Sequence, residues 1–338
     1  MNIHVPKPGQ EPAQVAVQNF HESVFDTPEA RKAASELSNE KRQELVLNLL
    51  VRYPRFETGY RHVSATHRPV KGGAPRKGGV ACLLGDTRAG KTSIVKAYMA
   101  EHPPHVGELG EVFPMVYVAT TASASTATIT DSFYQATGAR VMAPSLNVTT
   151  RTMNVIGRLA ILGTELVVLD DVQYMVAGRR SDEVNRFSSF VRSLIDAKMF
   201  AIQLIGEEKP VLNWMRGRPE ISGRGFRHEV IRPFDRTADG QIDHQILMSE
   251  IDDRLPFRQP SELGNAVVAA ELYDYSDGYL GRTVEMLREA CWKSISNGDT
   301  RILFSTLQQT CREMAWRDDQ PDFFGREFTK RYRSEGRR

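Results

Sequence analysis

The chain has 338 residues, 41% apolar and 25% charged, a soluble-globular balance with room for one large domain or two of medium size. No apolar run approaches the ~18–20 residues that cross a bilayer, residues 1–6 show no secretory apolar core, and Cys82, Cys291 and Cys311 are too few and scattered for a disulfide framework or a cysteine-rich zinc site, so a reducing cytoplasm is expected. The net charge of +2 does not mark a nucleic-acid binder, but basic residues cluster: six against two acidic in 326–338, seven against Glu57 in 52–77, and a group of Arg216, Arg218, Arg224, Arg227, Arg232 and Arg236.

In chain order, residues 1–12 hold three prolines and a glycine and read as disordered. Residues 13–70 read as a helical extension. Its 13–53 part falls in two pieces, the second capped near Ser38, carrying Leu45, Leu49 and Leu50 on one face and stopped by Pro54. Residues 71–79 form a Gly-rich loop, after which the pattern changes. Residues 80–84 are a short apolar run, as expected of a strand buried on both faces. A helix is expected from Lys91 to about Glu101, stopped by Pro103 and Pro104. Residues 112–119, 166–169 and 200–205 are further strand candidates, and 126–137, 148–162 and 182–197 are helix candidates. That alternation implies an α/β core over 71–236, a parallel sheet flanked by helices. Beyond Phe234 only helical spacing remains, at 241–253, 262–274, 281–296 and 303–315. Residues 237–316 are therefore expected to be an α-helical second domain. Residues 317–338 are expected to be a basic tail, either solvated or docking a partner or DNA.

The chemistry lies in one run. Gly85, Asp86, Thr87, Arg88, Ala89, Gly90, Lys91 and Thr92 match G-x-x-x-x-G-K-[ST], directly after a buried-strand pattern and directly opening a helix. The glycines let backbone N–H groups turn toward phosphate oxygens, and the helix adds its positive end. Lys91 reaches the β- and γ-phosphates, the Thr92 hydroxyl ligates Mg²⁺, and Ser93 completes the nucleotide-binding set. From Lys91 to Asp170 is 79 residues; there the apolar run 166–169 ends in Asp170 and Asp171. An acid at the end of a buried strand holds the Mg²⁺ shell, a role for Asp170. The next acid orients or deprotonates the attacking water, a role for Asp171. The expected cofactors are ATP and Mg²⁺. Many such ATPases carry glutamate at the second position; aspartate is a methylene shorter, which points to slow hydrolysis.

With these motifs in place, the chain resembles the AAA+ ATPases and, among them, the TniB/TnsC transposition regulators, over roughly residues 40–315. The residues that carry this are Val51-Arg52-Tyr53-Pro54-Arg55, Leu83-Leu84-Gly85, Leu169-Asp170-Asp171-Val172-Gln173, Leu204-Ile205-Gly206 and the lid segment Asp277-Gly278-Tyr279-Leu280-Gly281-Arg282 with Leu287 and Ala290. The resemblance implies an ATP-dependent, head-to-tail oligomer on double-stranded DNA that marks a target and recruits a transposase, with a target-selection protein as a further partner and no membrane. It implies an arginine acting in trans at Arg224, with Arg227 competing because Gly225 splits the usual Arg-Phe pair, and a nucleotide-sensing arginine at Arg282. It also implies DNA-facing loops, whose candidates are Thr121, Ser123, Arg140, Thr150 and Arg151. Where many relatives have Gly-Thr after the fourth strand, this chain has Gly206-Glu207-Glu208, so either carboxylates replace a small polar group near the γ-phosphate or the role shifts to Gln203. The alternatives are another AAA+ DNA ATPase, such as a helicase loader or initiator-like protein, and a P-loop signalling ATPase. The lack of a wing or helix-turn-helix after the lid weighs against an initiator, and the lack of a sensor or repeat domain weighs against signalling.

Overall fold

The computed structural model describes residues 19–223 and 226–335. The expectation of disorder at 1–12 lies outside them. Packing divides the chain into two compact units. Among the described residues, one comprises Glu57–Asp86 and residues 91–223 and 226–231; the other comprises Asn19–Phe56, Thr87–Gly90 and residues 232–335.

The first unit holds all the strands of the described residues: β1 (Val80–Leu84), β2 (His105–Gly107), β3 (Gly110–Val112), β4 (Met115–Ala119), β5 (Leu166–Asp170), β6 (Ala201–Gly206) and β7 (Arg227–Val230). Five make one sheet in the order β4-β5-β6-β1-β7, with every neighbour parallel. β1, β5 and β6 are buried along their whole length, which is why they read as unbroken apolar runs and not as alternating ones. Helices at Lys91–Ala100, Thr126–Ala136, Val148–Ile161 and Ser181–Asp196 follow the expected positions. Ser125 and Thr128 form a capping box at the second of these, and Asn147 caps the third by accepting from the Thr150 N–H. The fourth buries Phe187, Phe190, Val191, Leu194 and Ile195 on the sheet core shared with Leu169, Ile202 and Leu204.

Two expectations for this unit change. The strand expected at 112–119 begins only at Met115. Val112 belongs instead to an antiparallel hairpin of β2 and β3, His105 opposite Val112, and Pro114, with no N–H, separates the two. β7 was not anticipated: Arg-His-Glu-Val has no apolar run, since an edge strand beside β1 need not be buried on both faces. Pro54 also differs in role. The helix Asn39–Leu47, capped by Ser38, has already ended, and Pro54 opens the helix Pro54–His67, where a missing N–H costs nothing.

The second unit is helical, built from Pro28–Ser35, Asn39–Leu47, Ala238–Asp252, Ala266–Ser276, Leu280–Asn297, Phe304–Glu313 and Arg326–Glu335. Buried Arg31 donates to the Asp252 carbonyl and pairs with Asp253. Buried Arg42 donates to the Pro256 carbonyl at 3.0 Å and stacks on Phe257. These contacts fasten the N-terminal helices to the end of Ala238–Asp252. The helix expected from 262 starts at Ala266 because Asn265 caps it, accepting from the N–H groups of Val267 and Val268.

The expectation of a loose basic tail is corrected. Phe323, Phe324 and Phe328 are buried in the core of this unit. Phe328 meets Phe304 edge-on at 5.1 Å and Phe324 at 4.9 Å. Buried Glu271 accepts from the Phe324 N–H at 2.9 Å and pairs with Arg331. Apolar residues three to four apart anchor this segment, and its basic residues are the outward face of a packed helix.

Candidate nucleotide site

Parallel sheets of this kind place ligands beyond the carboxyl ends of their strands. The loop after β1 and the acids after β5 both lie there, with β6 between them in the sheet. Leu84 of β1 is opposite Gly206 of β6, and the Gly85 N–H donates to the Gly206 carbonyl at 3.2 Å. Arg88 (φ 68°) and Gly90 (φ 91°) take the left-handed conformation that folds the loop back. The Lys91 ammonium donates to the carbonyl oxygens of Gly85 (2.9 Å) and Asp86 (2.8 Å). Burial lowers the pKa of Lys91, against the pull of Asp170, Asp171, Glu207 and Asp86 in the other direction. A buried cation of this kind favours an anionic ligand.

The Thr92 hydroxyl donates to Asp170 Oδ2 at 2.8 Å. The same oxygen accepts from the Tyr117 hydroxyl at 2.6 Å, and Asp170 Oδ1 accepts from the Asp171 N–H at 2.7 Å. Burial and the Asp170 charge push the Tyr117 phenol up, so it stays a donor. A hydroxyl and one carboxylate side by side are a hard oxygen set that fits Mg²⁺, which keeps waters and phosphate oxygens as its other ligands. No cluster of three or more His, Cys, Asp or Glu among the described residues forms a metal site.

Asp171 sits in the left-handed region (φ 57°), strained for an aspartate. The Thr120 hydroxyl holds its carbonyl at 2.6 Å, and Gln173 Nε2 donates to its Oδ1 at 3.0 Å. Gln173 and Tyr117 were not anticipated as part of the site. For Gln173 the signal was a polar residue two positions after the acid pair; for Tyr117 there was none, because its reach depends on the pairing of β4 with β5. Gln203, the alternative for the missing polar group, is fully buried and donates to the Leu204 carbonyl at 3.1 Å, so it belongs to the sheet interior.

Among the remaining candidates, Arg224 lies outside the described residues, and Arg227 is exposed on β7. Within the helical unit, Arg282 lies over the rings of Trp316 (3.8 Å) and Tyr279 (4.4 Å) and donates to the Ser276 carbonyl. In that unit Arg88 pairs with Glu285, and its carbonyl accepts from the Gly281 N–H at 2.9 Å. Thr121, Ser123 and Arg140 are exposed and Thr150 is half-buried. Arg151 is a correction: it is 5% exposed, pairs with Asp131 at 2.7 Å and donates to the carbonyls of Leu146 and Ala143. Its guanidinium holds the loop before its own helix and does not face outward.

A phosphate-loop motif after β1, an acid pair after β5 and this parallel sheet order give the chain the AAA+ fold. The family described as Bacterial TniB protein matches residues 18–235, and the chain belongs to that family. Three solved structures share the fold. The Aeropyrum pernix ORC1 protein in complex with DNA is 21% identical with a TM-score of 0.59, the match covering 78% of this chain and 66%, just under two thirds, of that one. Cdc6p from Pyrobaculum aerophilum is 17% identical with a TM-score of 0.53, covering 79% and 69%. The Aeropyrum pernix ORC2 protein, in its ADPNP–ADP complexes, is 16% identical with a TM-score of 0.51, covering 76% and 66%. No curated protein matches the sequence. No helix among the described residues is long and apolar enough to cross a membrane.

Proposed function

We propose that the chain is an ATP-hydrolysing regulator of DNA transposition. In this reading it assembles head to tail on double-stranded DNA with little sequence preference, marks that DNA as a target and recruits or activates a transposase, with a target-selection protein as a further partner. The observation that carries this is membership of the TniB family over residues 18–235; the grouping of Lys91, Thr92, Asp170 and Asp171 supports the hydrolytic part.

Residues 85–93 take the ATP phosphates, and Lys91 offsets their charge. Thr92 and Asp170 hold Mg²⁺, which when bound neutralises charge on the β- and γ-phosphates. Asp171 accepts a proton from the attacking water at its carboxylate. Arg282 senses the nucleotide, and Arg224, or else Arg227, completes a neighbour's site. Thr121, Ser123, Arg140 and Thr150 contact the DNA backbone, which hydroxyls, arginines and helix ends suit without reading bases.

Electron microscopy of the protein with duplex DNA, with and without a non-hydrolysable ATP analogue, tests this. Rings or filaments on DNA that need the analogue are expected. Nucleotide-dependent oligomers that ignore DNA would instead indicate a signalling ATPase.

A further inference from the structure

We infer that Gln173 is a positioning residue for Asp171, tying its carboxylate to the end of β6. The inference rests on the hydrolytic reading above. The sequence lacks the small polar group expected after the fourth core strand, having Gly206-Glu207-Glu208 there. The gap is bridged from the other side. Gln173 Nε2 donates to Asp171 Oδ1 at 3.0 Å, and Gln173 Oε1 accepts from the Glu207 N–H at 3.2 Å.

The orientation of this amide is forced by its partners. A carboxylate oxygen only accepts and a backbone N–H only donates, so the NH₂ must face Asp171 and the oxygen must face Glu207. The side chain is buried, 7% exposed, so water is a poor substitute for either bond. Space for it depends on Gly206. A Cβ there would lie 2.8 Å from Gln173 Oε1 and 2.9 Å from Val211 Cγ2, too close for either. Asp171 is held at its carbonyl by the Thr120 hydroxyl and the Tyr174 N–H, at its own N–H by Asp170 Oδ1, and at its carboxylate by Gln173. Only the last fixes the group that handles the proton. Misplacing a general base lowers the rate of the chemical step while leaving substrate binding in place.

The decisive variant is Gln173→Glu, which has the same shape and can still accept from Glu207 N–H, but as a carboxylate cannot donate to Asp171. Single-turnover ATP hydrolysis and the affinity for a fluorescent ATP analogue are measured on the full chain. The variants are Gln173→Glu, Gly206→Ala, Asp171→Asn and the double variant Gln173→Glu/Asp171→Asn. The expected result is a fall in rate of about tenfold or more for Gln173→Glu, with analogue affinity within about twofold of wild type. Gly206→Ala should fall in the same way, since its methyl displaces the glutamine. The double variant should be no slower than Asp171→Asn, because Gln173 acts only through Asp171. If Asp171→Asn hydrolyses ATP like wild type, the hydrolytic reading fails. If Asp171→Asn is slow but Gln173→Glu is not, or if the two losses multiply, the positioning role is wrong and the glutamine is only structural.

Discussion

His62, His67 and His244 have their pKa values lowered from 6.5 to about 4, in each case chiefly by burial. His67 keeps a neutral tautomer between the Tyr98 hydroxyl at 3.0 Å and Glu165 at 2.7 Å, and His244 packs edge-on to Phe234 and Tyr273 with neither ring nitrogen bonded. The unfolded chain takes up these protons near pH 6.5 and the folded chain only near 4, so stability is full above about 6.5 and falls as the pH drops toward 4. Each histidine adds a slope of about 1.4 kcal/mol per pH unit in that window. Denaturant titrations of His244→Phe across it should show a shallower acid loss than wild type; an unchanged slope would mean that His244 titrates normally. At the nucleotide site, Lys91→Ala should abolish ATP binding, read by fluorescent-analogue titration. Asp171→Asn should keep binding and suppress turnover by about 10²-fold or more. That Lys91, Thr92, Asp170 and Asp171 lie together was legible because each is named by a contiguous motif. Tyr117 was not, since its reach depends on strand pairing, and Gln173 was signalled only by its place two positions after the acid pair, its role depending on the left-handed turn at Asp171. Arg151 was misread because composition does not say that Asp131 waits 20 residues upstream to bury it.

Most helices and the buried strands were readable from periodicity, but Pro54 opens a helix instead of ending one, and the helix Glu208–Arg216 was not anticipated. Pairing was not readable: β7 is chosen by the free edge of β1, and Val112 is claimed by a hairpin partner. The C-terminal helix shows the same limit, because its charge count hid Phe323, Phe324 and Phe328. Phe328 is 2% exposed, so Phe328→Ala should destabilise the helical unit by about 3–5 kcal/mol. Urea denaturation of the full chain measures this, and a loss below about 1 kcal/mol would show that the helix does not belong to the core.

For the whole molecule, charge sets the terms of DNA binding. The net charge is only +2, and Arg151 and the C-terminal Arg331 are engaged with Asp131 and Glu271. With so little net positive charge, one copy offers a duplex weak overall attraction, and its affinity should be poor. Assembly along DNA multiplies the contacts, and each neutralised phosphate adds counterion release. A salt titration of duplex binding, with and without ATP, on wild type and Lys91→Ala measures this directly. Wild type is predicted to bind tightly only with ATP, with affinity falling steeply as salt rises and little difference between DNA sequences. Lys91→Ala should bind weakly under all conditions. Equal binding with and without ATP, matched by Lys91→Ala, would contradict a nucleotide-driven assembly on DNA.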